Sequence, residues 1–506
     1  MDATMKAAIG IAVANVLLLA LAWTFDFSSL PGPFLARLSR FWFYLRVRAG
    51  DFHHDNIALH EEYGPVVRYA PGHYSFSDPD AVKAIYGKGT EMDKSRWYEA
   101  WNAPGFKSLF TEPSVKAHAQ LRRKFQATYS MSSLVTYEAY VDSCVDVLCQ
   151  RFEDFARSGQ EIDLAHWMLC YAADAVSTIT YSKRMGFLHA GEDIGDLFKN
   201  LHGNILYATL MGIYAWVHPI VFHTLAWLRK LGLVEGTPRM FIASYTADRI
   251  SEKRAERAQL EKPTAAVQDE TAPKDFLSKF LDAHEQNPSK FTSHDINVGL
   301  VGNIIAGSDT TASALTAALY CLLKHPATLS KLRKEIKANA LSSPPTFKQT
   351  QSLPYLHAVI QESMRLYPAV GLPLQRVVPS SGAQINGHFF PAGTVVGVNP
   401  WVFHYNTSLF GPDAASFRPE RWLEADKERL AEMNRFWMPF GLGSRTCIGK
   451  NISLLEMGKV LPVLVERFEF ELCRALEVEG REMDWVNYWF VRPKELMVRV
   501  QIREQE

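Results

Sequence analysis

Along most of this chain, apolar residues recur every three to four positions, whereas a few short stretches alternate apolar and polar, and that contrast sets the expected elements. Helical patterns dominate residues 115 to 370, and β-rich pieces occur near Val66 to Phe76, Gln375 to Val398 and Phe468 to Arg503. Ser293 to Lys324 predicts one helix of about 30 residues, roughly 45 Å long and able to cross a whole domain. Its middle, Ala306-Gly307-Ser308-Asp309-Thr310-Thr311, is polar where a core helix should be apolar. A shorter helix is predicted from Ser352 to Leu366, with Ser352 as cap and Pro354 in the first turn. Residues 251 to 275 are rich in charge, Ala, Thr and Pro and read as an exposed, mobile connection. No repeat is visible, so the pattern predicts one large α-rich domain with small β-sheets.

Two uncharged runs change that picture. Residues 7 to 23 are apolar and end at Trp23, a residue favoured at membrane interfaces. At 17 residues the run just reaches the length of a single transmembrane helix, and no small-x-small cleavage site precedes Pro31-Gly32-Pro33. It is therefore read as an uncleaved anchor. Arg37, Arg40, Arg46 and Arg48 follow without an acid, so the positive-inside bias places the rest of the chain in the cytosol. The second run, Asn204 to Leu228, is interrupted by His218, Pro219 and His223. Two shorter apolar helices meeting at a turn, dipped into the membrane surface, fit it better than a second span.

Composition narrows the function classes. The 506 residues are 47% hydrophobic and 12% aromatic, which excludes a disordered chain. Lys+Arg and Asp+Glu are both 54, so no net basic field recruits nucleic acid. The six cysteines have no C-x-x-C spacing, which fits neither a disulfide scaffold nor a zinc ribbon.

The most informative stretch is Phe440-Gly441-Leu442-Gly443-Ser444-Arg445-Thr446-Cys447-Ile448-Gly449, followed by a helical pattern. Its glycines allow a tight turn, and Cys447 stands just before a helix N-terminus, where the dipole and free N–H groups favour a thiolate. The Phe-x-x-Gly-x-Arg-x-Cys-x-Gly spacing resembles the heme-thiolate signature of the cytochrome P-450 monooxygenases. That resemblance implies the cytochrome P-450 fold, an α-rich heme domain with a β-rich lobe. It also makes Cys447 the axial ligand of heme b, Phe440 a shield for its sulfur, and Arg445 a partner of a heme propionate.

Further segments carry the same likeness. Glu362 and Arg365 share one face of a helix whose neighbours Val359, Ile360 and Met364 suggest burial. Phe417-Arg418-Pro419-Glu420-Arg421-Trp422 resembles the family's Pro-Glu-Arg segment, which implies a structural Glu362–Arg365–Arg421 lock beneath the heme. The polar middle of the long helix matches the family's oxygen-binding groove. By that match Gly307 lets the helix loosen over the heme, Thr310 donates a hydrogen bond and Asp309 relays protons. His118 and Arg122 fall where the family shows Trp-x-x-x-Arg, and Arg376 matches another propionate arginine. Arg123, Lys124 and Lys450 would then lie on the surface that meets the electron donor.

The resemblance thus implies a membrane-anchored monooxygenase that inserts one atom of O2 into a hydrophobic small molecule by hydroxylation, epoxidation or oxidative dealkylation. Its electrons would come from NADPH through NADPH-cytochrome P-450 reductase, with cytochrome b5 as a further donor. The implied domains are an anchor (1–25), a Pro-Gly-Pro hinge with a basic juxtamembrane segment (26–50) and the monooxygenase domain (51–506). The implied location is the endoplasmic reticulum membrane, single-pass, with the catalytic domain cytosolic. Lys94 to Tyr98, Ser108 to Phe110 and Asn487 to Val491 resemble pisatin-demethylase-like and fungal secondary-metabolism members. Expected walls of the substrate pocket are Trp97 to Phe110, Ala306, Ala369 to Leu374 and Tyr488 to Val491, apolar and ring-rich. A heme-thiolate isomerase or dehydratase, or a heme-binding membrane protein without turnover, is the alternative. Neither needs the Asp309–Thr310 pair.

Overall fold

The structure, a computed structural model, describes residues 30–233, 238–260, 274–473 and 482–504. The apolar run 7–23 lies outside them. Among the described residues no helix is long and apolar enough to cross a membrane.

Helices make up most of the fold, and the long one forms as the sequence predicts, from Ser293 to Lys324. It starts at a capping box, in which the Thr292 hydroxyl accepts the Asp295 N–H and the Asp295 carboxylate accepts the Thr292 N–H. Asp295 also binds the Lys124 ammonium at 2.8 Å. From Ser308 to Leu322 nearly every side chain is buried, and the Ala-rich stretch Ala312–Ala318 allows close approach to neighbouring helices. Its main partner is the helix Leu164–Tyr181, which is buried almost all round and capped by the Asp163 carboxylate. The helix Pro354–Leu366, the strand Phe490–Pro493 and the helix Lys450–Arg467 pack on it as well.

The main sheet has five strands in the order Val66–Ala70, His73–Phe76, Val395–Val398, Arg376–Val377 and Asp93–Lys94. All its pairings are antiparallel except His73–Phe76 with Val395–Val398. A second sheet joins Glu161–Asp163, Met497–Ile502 and Phe468–Leu472, and Trp485–Tyr488 pairs with Phe490–Pro493 in a hairpin. Besides the main core, an aromatic cluster around Trp97, Trp101 and Trp489 fills the space between the main sheet, the hairpin and the helix Leu197–Ile213.

Four expectations need adjustment. Ser352 does not cap Pro354–Leu366. Its hydroxyl donates to the Gln349 carbonyl at 2.6 Å, and Leu353 occupies the cap position. Residues 251–260 are not a connection but the end of the helix Pro238–Leu260, while 261–273 lie outside the described residues. The run Asn204–Leu228 does break in two, between Leu197–Ile213 and His218–Lys230, although the first helix begins seven residues before the run. The described part of the 26–50 segment is tied to the body: the Arg68 N–H donates to the Pro31 carbonyl at 2.8 Å, and Phe43 and Val47 are buried in the aromatic cluster. Gly32 is required there, because a Cβ would stand 2.1 Å from the Arg68 carbonyl oxygen.

Candidate active site

The cysteine loop is shaped by its glycines. Gly443 has φ +66°, and a Cβ on it would meet the Tyr86 carbonyl oxygen at 2.1 Å, so only glycine fits. The loop closes when the Cys447 N–H donates to the Phe440 carbonyl at 2.8 Å. The helix Lys450–Arg467 follows at once. Cys447 is exposed, while Cys144, Cys149, Cys170 and Cys321 are buried. Yet its thiol pKa is raised, first by desolvation, against the N–H groups of Gly449 and Lys450 and the charge of Arg122, which pull it down. The Cys447 sulfur is thus accessible yet closely surrounded by protein.

The long helix carries a second accessible surface. Within its buried middle, Gly302 and Ala306 are exposed and Thr310 is half-buried. Their i, i+4 spacing puts them in one stripe about 12 Å long. The Thr310 hydroxyl donates to the Ala306 carbonyl at 2.7 Å. Asp309 is buried, with Oδ1 3.1 Å from His202 Nε2 and Oδ2 without a partner. Gly307 does not open the helix as expected. The helix is unbroken there, and a Cβ on Gly307 would meet Val176 at 2.7 Å, so contact with Leu164–Tyr181 is what demands glycine.

Around His118 gather four basic side chains, Lys94, Arg122, Arg376 and Arg445. Arg122 donates to the Thr446 carbonyl at 2.6 Å, Arg445 to the Glu112 carbonyl at 2.6 Å, and Arg376 to the Gln375 carbonyl at 2.9 Å. Lys94 donates to the Phe110 carbonyl and lies 4.4 Å from the Tyr98 ring centroid. Among the described residues none of the four Lys and Arg side chains has an ion-pair partner. Lys94 and Arg376 are direct cross-strand neighbours, a like-charge pairing that destabilises a bare sheet. Burial, then Arg376 and Arg445, drives the Lys94 pKa well down. Burial, then Arg445, Lys94, Arg122 and Arg376, pushes the His118 pKa down to about 3, so His118 is a neutral donor. The Arg445 Nε is buried and unpartnered. Such an array is complementary to carboxylates, and with Arg122 beside the Cys447 sulfur it suits a flat macrocycle that carries two of them. Lys94 was missed as a site residue because only the fold sets it opposite Arg376.

The lock beneath forms fully. Arg365 Nη2 and Arg421 Nε each lie 2.8 Å from Glu362 Oε1, and all three side chains are buried. Arg365 Nε and Trp422 Nε1 donate to Oε2 at 2.9 Å, and the Arg418 N–H to Oε1 at 3.0 Å. Burial alone would raise the Glu362 pKa, but Arg365 and then Arg421 outweigh it and hold it below the usual range. The Arg421 guanidinium also binds Asp413 at 2.9 Å and the backbone around it, fixing the loop before the cysteine segment.

Other expected parts shift. On the proximal face Lys124 is committed to Asp295, and Lys450 lies over Trp437 and Phe440, which leaves Arg123 exposed. Trp97, Trp101 and Trp489 are packed into their cluster, so of the expected aromatic walls Phe110, Tyr488 and Phe490 stay partly open, with Ile305 and Val370 in the same cluster. Phe106 is at the surface, 5.7 Å from His294.

A family model, Cytochrome P450, matches residues 31–499. Pisatin demethylase of Fusarium vanettenii is 38% identical over 478 residues, covering 92% of this chain and 88% of the relative. A cytochrome P450 monooxygenase of Aspergillus terreus is 36% identical, covering 89% of this chain and 92% of its own length. The cytochrome P450 monooxygenase cicH of Emericella nidulans is also 36% identical, covering 94% of both chains.

Proposed function

Because this chain belongs to the cytochrome P450 family and is a monooxygenase, we propose that it inserts one oxygen atom of O2 into an apolar, ring-containing molecule of fungal secondary metabolism. The observation that carries this reading is the accessible Cys447 sulfur, set beside a group of cations without ion-pair partners, together with the accessible stripe on the long helix that ends at Thr310. In balanced form, RH + O2 + NADPH + H⁺ gives ROH + H2O + NADP⁺. Heme b, when bound, activates O2 with electrons that the reductase draws from NADPH.

The chain's own residues do the rest. Cys447 would hold the iron as a thiolate, whose charge would be met by the N–H groups of Gly449 and Lys450 and by Arg122. Lys94, Arg122, Arg376 and Arg445 would pair with the propionates, and neutral His118 would donate a hydrogen bond. Asp309, with its free Oδ2, takes up a proton and returns it beside Thr310, whose hydroxyl exchanges the Ala306 carbonyl for a partner in the cavity. This acid–alcohol pair favours oxygen activation over peroxide rearrangement. Phe110, Ile305, Val370 and Phe490 exclude water and orient an apolar substrate. The relatives named pisatin demethylase support loss of a methyl group as one outcome.

The same reading places the protein on the endoplasmic reticulum membrane, anchored by residues 1–25, with the catalytic domain cytosolic. Phe34, Leu35, Trp216, Ile220, Trp227 and Leu233 are each more than half exposed. Arg40 donates to the Ile213 carbonyl at 3.4 Å and Tyr44 lies 6.4 Å from Tyr214, so the segments that carry these residues are neighbours. An apolar surface of this kind suits the lipid interface. A cavity of about 260 Å³ lined by Arg40, Phe43, Trp97 and Trp216 lies beside it.

The central test is spectroscopic. The reduced, carbon-monoxide-bound protein is expected to show the red-shifted Soret band of thiolate ligation, and Cys447→Ser to abolish it. An unchanged band in that variant overturns the assignment.

A further inference from the structure

We propose that His202 is a positioning residue that fixes the Asp309 carboxylate and makes proton supply depend on the helix that roofs the cavity. The proposal rests on the reading of Asp309 as the proton relay.

Asp309 carries a carboxylate that is 2% exposed, and such a group needs a fixed donor. The long helix does not provide one. The donor is His202 Nε2, 3.1 Å from Oδ1, on the helix Leu197–Ile213. The two oxygens are thereby made unequal: Oδ1 is held, and Oδ2 is buried with no partner and free to carry a proton.

The roof helix is fastened differently at its two ends. Toward its C-terminus the Thr209 hydroxyl donates to the Tyr488 carbonyl at 2.9 Å, and the Trp97 indole N–H donates to the Thr209 carbonyl at 3.0 Å. That end is part of the aromatic cluster and the hairpin. One to two turns earlier, His202 ties the helix to Asp309. Burial lowers the pKa of Arg492, on the hairpin strand, and the Asp309 charge opposes that shift. The neighbouring Val491 carbonyl accepts the Ser313 hydroxyl of the long helix at 2.7 Å. Asp309 therefore sits between the roof helix and the hairpin, the two elements that a substrate beneath Phe490 and Leu206 would press upon. A shift of the roof by about 1 Å breaks a bond of this length, and Asp309 then loses its orientation. Closure of the roof and readiness to deliver a proton become one event.

The test uses full-length holoenzyme with reductase in vesicles, 7-ethoxycoumarin as an apolar aryl ether probe, and His202→Ala, His202→Gln and Asp309→Asn. His202→Ala and Asp309→Asn are expected to lower NADPH-driven turnover about tenfold or more while the spectral dissociation constant of the probe stays within about twofold. His202→Gln, which can still donate, is expected to recover most of the rate. Turnover driven by cumene hydroperoxide, which needs no proton relay, is expected to stay unchanged in His202→Ala and His202→Gln. Independently of turnover, hydrogen exchange in the probe-free protein should quicken around residues 199–206 in His202→Ala and Asp309→Asn but not around 207–213. Unchanged turnover and exchange in His202→Ala, or equal damage in His202→Gln, overturns the role of His202. An unimpaired Asp309→Asn instead overturns the reading of Asp309 on which the proposal stands.

Discussion

Glu362→Ala offers the sharpest test of what holds the heme-binding half together. The carboxylate accepts five hydrogen bonds, from Arg365 Nε and Nη2, Arg421 Nε, Trp422 Nε1 and the Arg418 N–H. Removing it leaves Arg365 buried without a counter-charge and Arg421 with Asp413 alone, a loss of about 3–5 kcal/mol. That is a large share of the roughly 5–15 kcal/mol that separates folded from unfolded states. With an unfolding entropy of about 2.1 cal/mol/K per residue, a chain of this size loses about 1 °C in melting temperature per kcal/mol, so a fall of about 3–5 °C is expected. The pH dependence has a definite sign. Glu362 has a depressed folded pKa, so its contribution is present above the ordinary carboxylate value of about 4.3 and is lost as the pH falls through the folded value. Melting curves at neutral and acidic pH, read alongside heme content from the carbon-monoxide difference spectrum, measure both effects. The exposed pair Lys83–Asp80, at 2.8 Å, is the control, and Lys83→Ala should cost less than about 1 kcal/mol. A Glu362→Ala protein that melted with the wild type and kept its heme would refute the view that the lock is structural.

Thr310→Ala should fold and bind heme but release more of the NADPH-derived electrons as hydrogen peroxide, measured as peroxide formed per NADPH consumed; an unchanged ratio would mean that another group handles the proton. Lys94→Met should stabilise the heme-free protein by about 1 kcal/mol, because it removes one of two opposed cations, and yet weaken heme binding in a titration. Since the Lys94 pKa is lowered in the fold, the heme-free wild type should also gain stability as the pH rises toward about 10.4, and the variant should gain less. Replacing Trp216 and Trp227 with Ser in a chain lacking residues 1–25 should reduce sedimentation with phosphatidylcholine vesicles several-fold, and undiminished binding would move the membrane surface elsewhere.

Elements whose cause is local could be read directly from the sequence. The long helix was legible because its apolar repeat resumes after the polar middle and runs to Lys324. The cysteine loop was legible because the Gly443 turn leaves no room for a side chain. Glu362 and Arg365 announce themselves by spacing, and Arg421 by the segment around it. What could not be read depends on long-range packing. Lys94 joins the site through strand register with a partner 282 residues away. His202 meets Asp309 only because two helices cross. Gly307 looked like a hinge, since a glycine in a polar helical stretch gives no hint of whether it faces a cavity or a neighbouring valine. The tryptophans looked like pocket walls because burial inside a cluster and exposure to a cavity have the same local pattern.

The contact of Gly307 with Val176 bears on how relatives of this protein can diversify. On its back the long helix is pinned by that contact, by the alanines from Ala312 to Ala318 and by the Ser313 bond to the hairpin. A helix fixed so closely cannot retreat to admit a larger molecule, nor advance to grip a smaller one. The floor of the reaction chamber is thus a constant, and the freedom to evolve new chemistry-bearing shapes is confined to the walls opposite it. Lineages that acquire new metabolites should therefore change at Phe110, Leu206, Val370 and Phe490 long before they change at Gly302, Ala306 or Gly307.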